Sequence, residues 1–247
     1  MPGKEETGNI MASPKQVKSR IAALLLLLPL ATAFAAAEPP PTARELLSLV
    51  RASQASQERN LNGKLQMSTD EKRIVIPFRL FLRGDTITYQ FTDKPEALVL
   101  HLGEKTSRLE HVLGSGKTEK ISGAKLDDSV RGTDISYEDL ALKFLYWNNA
   151  VVEPEKETLS MRSCWIVRAV PSAKSESQYD MVRLWIESTG GMLQAECYSG
   201  GKIIRRFSVR SVQHVSTGGY ILKSMDIQRV DEKGQGRAPT RLAVSQE

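Results

Sequence analysis

Residues 179–213 read "YDMVRLWIESTGGMLQAECYSGGKIIRRFSVRSVQ". Apolar runs are separated here by Ser188-Thr189-Gly190-Gly191 and by Ser199-Gly200-Gly201-Lys202. Glycines in such places supply the backbone angles that tight hairpin turns require. Within the runs, large apolar residues alternate with Arg, Gln and Ser, and a period of two sends them to opposite faces of a strand. Connections this short join antiparallel neighbours, since a parallel crossover needs a dozen residues or more. The stretch predicts a meander with one apolar face and one wet face.

The same reading extends outward. "SCWIVRAVP" (163–171) and "GGYILKSMDIQRV" (218–230) flank the stretch with further strands. Upstream, Phe78, Leu80 and Leu82 point one way in "IPFRLFLRG", and Ile87, Tyr89 and Phe91 do so in "DTITYQF", with Arg-Gly-Asp as the turn between them. In "ALVLHLGEKTSRLEHVLGSGK" (97–117), Leu98, Leu100 and Leu102 alternate with Val99 and His101. Gly103–Thr106 turns the chain there, and Leu109 and Leu113 return with it. The pattern amounts to about ten antiparallel strands, and a sheet of that length curls and forms an apolar trough.

Two helices accompany the strands. "TARELLSLVRASQ" (42–54) has the capping-box spacing at Thr42 and Glu45, with Leu46, Leu49 and Val50 on one face. Asn60–Gly63 reads as its exit turn. "DISYEDLALKFLYW" (134–147) opens with capping residues and spaces Leu140, Phe144 and Trp147 as a helix does. Glu138 and Asp139 in its first turn favour the helix dipole. Tyr137, Phe144, Tyr146 and Trp147 make this segment rich in aromatics. It is either an ordinary core helix or a movable cover over a lipophilic cavity. The fold class is therefore mainly β (α+β): a curled antiparallel sheet whose concave apolar face is covered by an N-terminal and a middle helix.

Composition sets the setting. A charged fraction of 26% argues against wholesale disorder. "MASPKQVKSRIAALLLLLPLATAFAAAEPPP" (11–41) has Lys15, Lys18 and Arg20 before an apolar run, Ile21–Phe34. Ala35 and Ala37 supply the small-x-small exit of a secretory signal. Residues 1–37 are thus expected to be a cleaved signal peptide, with an uncleaved membrane anchor as the alternative, and Met11 serves as a start as well as Met1. Net charge falls from +5 to +3 when residues 1–37 are removed, and the basic residues are scattered, which excludes a nucleic-acid footprint. Cys164 and Cys197 would meet an oxidising compartment. A strand between them sets them roughly 9–10 Å apart, beyond the reach of a disulfide.

Chemical motifs are absent where their spacing is tested. "GSGKT" (114–118) needs a Gly five residues before Gly116 to be a phosphate loop, and that residue is His111. "KTEKISG" then continues as strand and not as helix. No nucleotide is expected. His101, His111 and His214 have no metal-ligand spacing, so no metal is expected and no cofactor is called for. No Gly-x-Ser-x-Gly elbow is present, and no catalytic residue is assigned.

"RGTDISYEDL" (131–140) and "LWIESTGGMLQAECYSGGKIIRRF" (184–207) together resemble the bacterial outer-membrane lipoprotein-sorting proteins, the Lol carrier-like family. In that family a Trp-Ile-(Asp/Glu) strand, a turn, a Leu-rich strand and a Gly-Lys turn follow in this order. The chain departs from it at Ser199-Gly200-Gly201, where the family has an Asp-containing turn. The resemblance implies a half-open barrel over residues 38–232, with a flexible tail over 233–247. It implies a periplasmic, non-enzymatic carrier that binds acyl chains of lipoproteins, or another lipid, between an inner-membrane transporter and an outer-membrane receptor. On that reading Leu80, Leu82, Tyr89, Phe91, Leu98 and Leu100 line the cavity, and Leu140, Phe144 and Trp147 belong to its cover. A lipid-sensing regulatory module and an envelope structural protein with a filled core remain as alternatives.

Overall fold

The computed structural model describes residues 39–55, 58–69, 73–173, 177–214 and 220–246. The expected signal peptide and both candidate start residues lie outside the described residues. Helix α1 (Ala43–Ala55) begins where the sequence says it should. Thr42 N donates to Glu45 Oε2 at 2.7 Å and Glu45 N to Thr42 Oγ1 at 3.3 Å, a reciprocal cap. The buried face is Ala43, Leu46, Leu47 and Val50, whereas Leu49 is exposed. Leu46 and Val50 thus face inward as expected, and Leu47 takes the place expected of Leu49 in the i, i+3, i+4, i+7 stripe.

The strands form two meanders. The first is β1 (Glu58–Ser68), β2 (Arg73–Arg83), β3 (Thr86–Phe91), β4 (Ala97–Leu102), β5 (Ser107–Val112) and β6 (Thr118–Ile121). The second is β7 (Asn149–Val152), β8 (Glu157–Leu159), β9 (Arg162–Val170), β10 (Met181–Glu187), β11 (Met192–Ser199), β12 (Lys202–His214), β13 (Tyr220–Arg229) and β14 (Thr240–Gln246). They join into one antiparallel sheet of order β6-β5-β4-β3-β2-β1-β14-β13-β12-β11-β10-β9-β7, with β8 on β9. Edge strands β6 and β7 do not pair, so the sheet is a half-open barrel and not a closed one. Bulges between Trp185 and Ile186, Cys197 and Tyr198, and Val209 and Val212 add the local twist that curls it.

Residues 122–148 lead from one edge strand to the other. Within them, residues 134–147 are not the single helix expected from the sequence. Short 3-10 turns at Gly123–Asp127 and Val130–Gly132 precede α2 (Tyr137–Ala141), and Lys143–Tyr146 is again 3-10. Leu142, at φ 51°, breaks the helical path between Leu140 and Phe144.

Two strands escape the sequence reading. Asn60–Gly63 lies inside β1 and is not an exit turn, and the expected frayed tail carries β14. β1 is poor in strand-forming residues, yet it lies between β2 and β14 along most of its length. Phe78 lies across its partner Gly63, where a Cβ would fall 2.3 Å from the ring. β14 pairs Leu242 with both Leu65 and Met225, which places the end of the described chain in the middle of the sheet.

The cysteines sit as the strand order predicts. Cys164 pairs with Glu187 and Cys197 with Val182, on either side of β10, and both thiols are free. Cys197 belongs to the main core on the concave face. Cys164, Ile166 and Trp185 form a second small cluster on the convex face, where Trp185 Nε1 donates to Glu157 Oε2 at 2.9 Å.

Candidate functional site

The side chains of the described residues do not fill the concave face. A cavity of about 1120 Å³ lies between β1–β3, β12–β14, α1 and the crossing segment. This volume slightly exceeds the ~300–1,000 Å³ range of small-molecule sites. Phe207, Val209, Leu222, Met225, Ile227 and Leu242 supply much of its wall. Val209, Leu222 and Met225 are only half-buried, because they face open space inside the fold. The described residues therefore leave part of the interior open.

Five of the residues selected from the sequence line the cavity: Leu80, Leu82, Tyr89, Leu140 and Phe144. Phe91, Leu98, Leu100 and Trp147 do not; they are buried in the packed part of the core. The reason is where the crossing segment lies. Its helix α2 is tied down over β5, with the Ser107 hydroxyl donating to the Ala141 carbonyl, so the trough is occupied there. Phe91 is covered by the Arg131 guanidinium, 4.7 Å above its ring. The β12–β14 wall was missed, although Phe207 and Val209 already alternate in the sequence with Arg206 and Ser208.

The cavity has unlike ends. Gln54, Glu58, Arg59, Arg162, Glu187 and Thr189 line one of them, and Glu58 and Thr189 are exposed, so this end reaches the surface. Arg162 Nη1 lies 3.1 Å from Glu187 Oε2, so both signs of charge stand at the rim. The other end is closed by Ile135, Asp139 and Phe207. Between them Tyr89 packs edge-on against Phe78, with ring centroids 5.6 Å apart. Tyr89 is half-buried and lines the cavity, and desolvation pushes its phenol up to about 12.

A buried polar network holds the closed end. Asp139 and Arg205 form an ion pair, Tyr179 Oη donates to Asp139 Oδ1 at 2.6 Å, and Ser136 N donates to Asp139 Oδ2 at 2.7 Å. Asp139 N in turn donates to Ser136 Oγ at 3.2 Å, completing the capping box of α2. From the sequence Asp139 serves the helix dipole, with an acid-base pair with Glu138 as the alternative, whereas its principal partner is a strand residue 66 positions away. Burial would lower the Arg205 pKa, but the charge of Asp139 and the other partners raise it overall. Beside the pair, Glu138 accepts from Ser177 Oγ and from Gln178 Nε2 at 3.1 Å. Burial raises the Glu138 carboxyl against those bonds.

Further ties run along the crossing segment. Arg131 makes a bidentate pair with Asp93 at 2.8 and 2.7 Å, and Arg51 donates to the Leu145 carbonyl. Asp134 N donates to Thr240 Oγ1 at 3.0 Å, and Arg229 Nη2 donates to Ser129 Oγ at 2.9 Å. Phe144 and Leu145 are fully buried.

Other chemistry is not assembled. His101 bonds Glu110 at 3.2 Å and His111 bonds Glu96 at 3.0 Å, on neighbouring strands. Among the described residues no three His, Cys, Asp or Glu side chains cluster as metal ligands. Gly116, at φ 82°, belongs to the β5–β6 hairpin turn. No helix among the described residues is long and apolar enough to cross a membrane.

Comparison with known proteins agrees with this geometry. A family model described as "-like: Uncharacterized protein" matches residues 114–245, and the chain belongs to that family. No curated protein matches the chain. Among solved structures, a DUF1329 family protein from Desulfovibrio piger ATCC 29098 superposes with a TM-score of 0.64 at 16% identity, covering 82% of this chain and 90% of its own. A domain from Vibrio parahaemolyticus, assigned by name to outer membrane lipoprotein sorting, gives 0.64 at 14% identity, with 82% and 91% covered. A LolA superfamily protein from Nitrosomonas europaea gives 0.60 at 15% identity, with 83% and 92% covered. The chain has the Lol-like fold.

Proposed function

We propose that this protein is a periplasmic carrier that holds acyl chains of lipoproteins, or of another lipid, in the cavity and helps move them towards the outer membrane. The observation that carries the reading is the unfilled apolar volume of about 1120 Å³ beneath well-packed helices. Each methylene transferred from water into such a space gains about 0.8 kcal/mol, so a long acyl chain is held without any covalent step. An inner-membrane transporter would load the carrier and an outer-membrane receptor would unload it. Transfer would be driven by the difference in affinity between successive partners. The many ties along the crossing segment favour entry through the polar end, between α1, the start of β1 and the β10–β11 turn, over wholesale lifting of residues 122–148.

The test is native mass spectrometry of the full chain, exported to a periplasm and purified without detergent. Adducts of acyl-lipid mass, displaced by an excess of a competing acyl lipid, are expected. A clean apo mass that added acyl lipids leave unchanged would overturn the reading.

A further inference from the structure

Tyr89 brings a hydroxyl into a cavity whose middle is otherwise apolar. Among the described residues its oxygen makes no hydrogen bond, and it is not one of the sealed polar atoms lacking a partner, which are Tyr146 Oη and Arg205 Nε. Tyr89 is half-buried and lines the cavity, so its hydroxyl is left accessible and unmatched there. The other polar groups of that wall are accounted for. Asp139 is saturated by Ser136, Tyr179 and Arg205, and Ser53 Oγ donates to the Val50 and Gly190 carbonyls at 2.8 and 3.3 Å. A tyrosine hydroxyl withdrawn from water ordinarily finds a partner, so an unmatched one on a cavity wall calls for an acceptor on the ligand.

Its depth defines which acceptor. The register sets Arg59 opposite Leu82 and Leu82 opposite Ile87, while Leu61 is opposite Leu80 and Leu80 opposite Tyr89. Tyr89 thus lies two residues, about 7 Å, inside the level of the charged rim. From there the wall is hydrocarbon as far as Ile135 and Phe207. A ligand with its polar head at Glu58, Arg59, Arg162 and Glu187 places its first linkage beside Tyr89 and its chain beyond.

We infer that the cavity selects acyl esters or amides of a polar head group, with the linkage carbonyl accepting a hydrogen bond from Tyr89 Oη. The inference rests on the lipid-carrier reading and adds the class of linkage. The phenol stays protonated, and so remains a donor, throughout the physiological pH range, since burial holds it up to about 12. A neutral carbonyl suits it better than a carboxylate, which would bring an uncompensated charge into an apolar wall.

The experiment compares monopalmitoylglycerol with 1-O-hexadecylglycerol, an ether with the same head and no carbonyl. Each is used to displace a fluorescent acyl probe from the wild type and from Tyr89→Phe. The wild type should prefer the ester by about three- to tenfold, the range of one net hydrogen bond. Tyr89→Phe should lose that preference and keep its affinity for the ether. The infrared carbonyl stretch of a 13C-labelled ester should move to lower wavenumber in the wild type and return to its unbonded position in the variant. Equal ester and ether affinity in the wild type would overturn the inference and leave the carrier reading standing. An equal loss of both ligands in Tyr89→Phe would also overturn it, by making Tyr89 a packing residue. Failure of the wild type to bind either ligand would overturn both readings together.

Discussion

Asp139, in the first turn of α2, and Arg205, on β12, meet with side chains only 1% and 6% exposed. Their pairing fastens the short helix to the second meander. Removing one partner strands the other charge in the core, at a cost of about 3–5 kcal/mol. Asp139→Ala should lower the unfolding free energy by that amount, seen in urea melts as an earlier midpoint at an unchanged slope. Arg205→Met together with Asp139→Leu should recover much of it, because the double replacement leaves no buried charge. A single variant as stable as the wild type would show that the pair contributes nothing.

Two carboxylates give opposite pH dependences. Burial raises Glu138, so its contribution to stability is full below the ordinary carboxylate range and is lost as pH rises through its raised value. Hydrogen bonds from Arg241 and Arg210 lower Asp226, so its contribution is present above the ordinary range and is lost as pH falls through the lowered value. Glu138→Gln should flatten the weakly acidic side of a stability-against-pH curve, and Asp226→Asn its most acidic part. Urea melts at closely spaced pH values will test both signs.

Gly63 and Phe78 form a close cross-strand pair, since a Cβ on Gly63 would lie 2.3 Å from the ring. Gly63→Ala should destabilise the fold by about 1–3 kcal/mol, the usual cost of overpacking. Because Phe78 also packs against Tyr89, the variant should move the Tyr89 ring signals in an NMR spectrum as well. Unchanged stability would mean that the ring turns aside at no cost.

Met225 faces the cavity and is half-buried, so a larger side chain has room there. Met225→Trp should leave the melting temperature within a few degrees of wild type, as the added atoms fill space and displace no neighbour. The same variant should lose most acyl-lipid adducts in native mass spectra. Retained adducts with a reduced volume would place lipid binding elsewhere.

Much of this architecture is written in local pattern, and the exceptions share a cause. β3, β4 and β10–β12 alternate visibly because each has a buried and a wetter face, and glycine turns separate the later hairpins. β1 and β14 carry few such marks. β1 contains Asn60, Asn62 and Gly63, and β14 follows a Gly- and Arg-rich stretch; both are strands because the other lies beside them. That pairing is tertiary and has no period. The break at Leu142 is of the same kind: leucine normally continues a helix, but here it takes φ 51° where the segment turns to bury Phe144 and Leu145. For the site, size and alternation found Leu80, Leu82 and Tyr89. They could not tell which part of the trough residues 122–148 would occupy, and so Leu98, Leu100 and Phe91 went to the core.

The pairing of β1 with β14 joins residues about as far apart in the chain as the fold allows, such as Leu61 with Gln246. Contacts of such long range form late, because the loop between them must be ordered first. Before residues 240–246 are in place the first meander can assemble its hairpins, but its edge strand β1 stays unpaired on the side that β14 will occupy. Until then β1 presents a bare edge, and an unpaired edge invites other chains. Residues 240–246 are therefore the closing stitch of the sheet, and the moment they become available determines how long the half-finished molecule is exposed to mispairing.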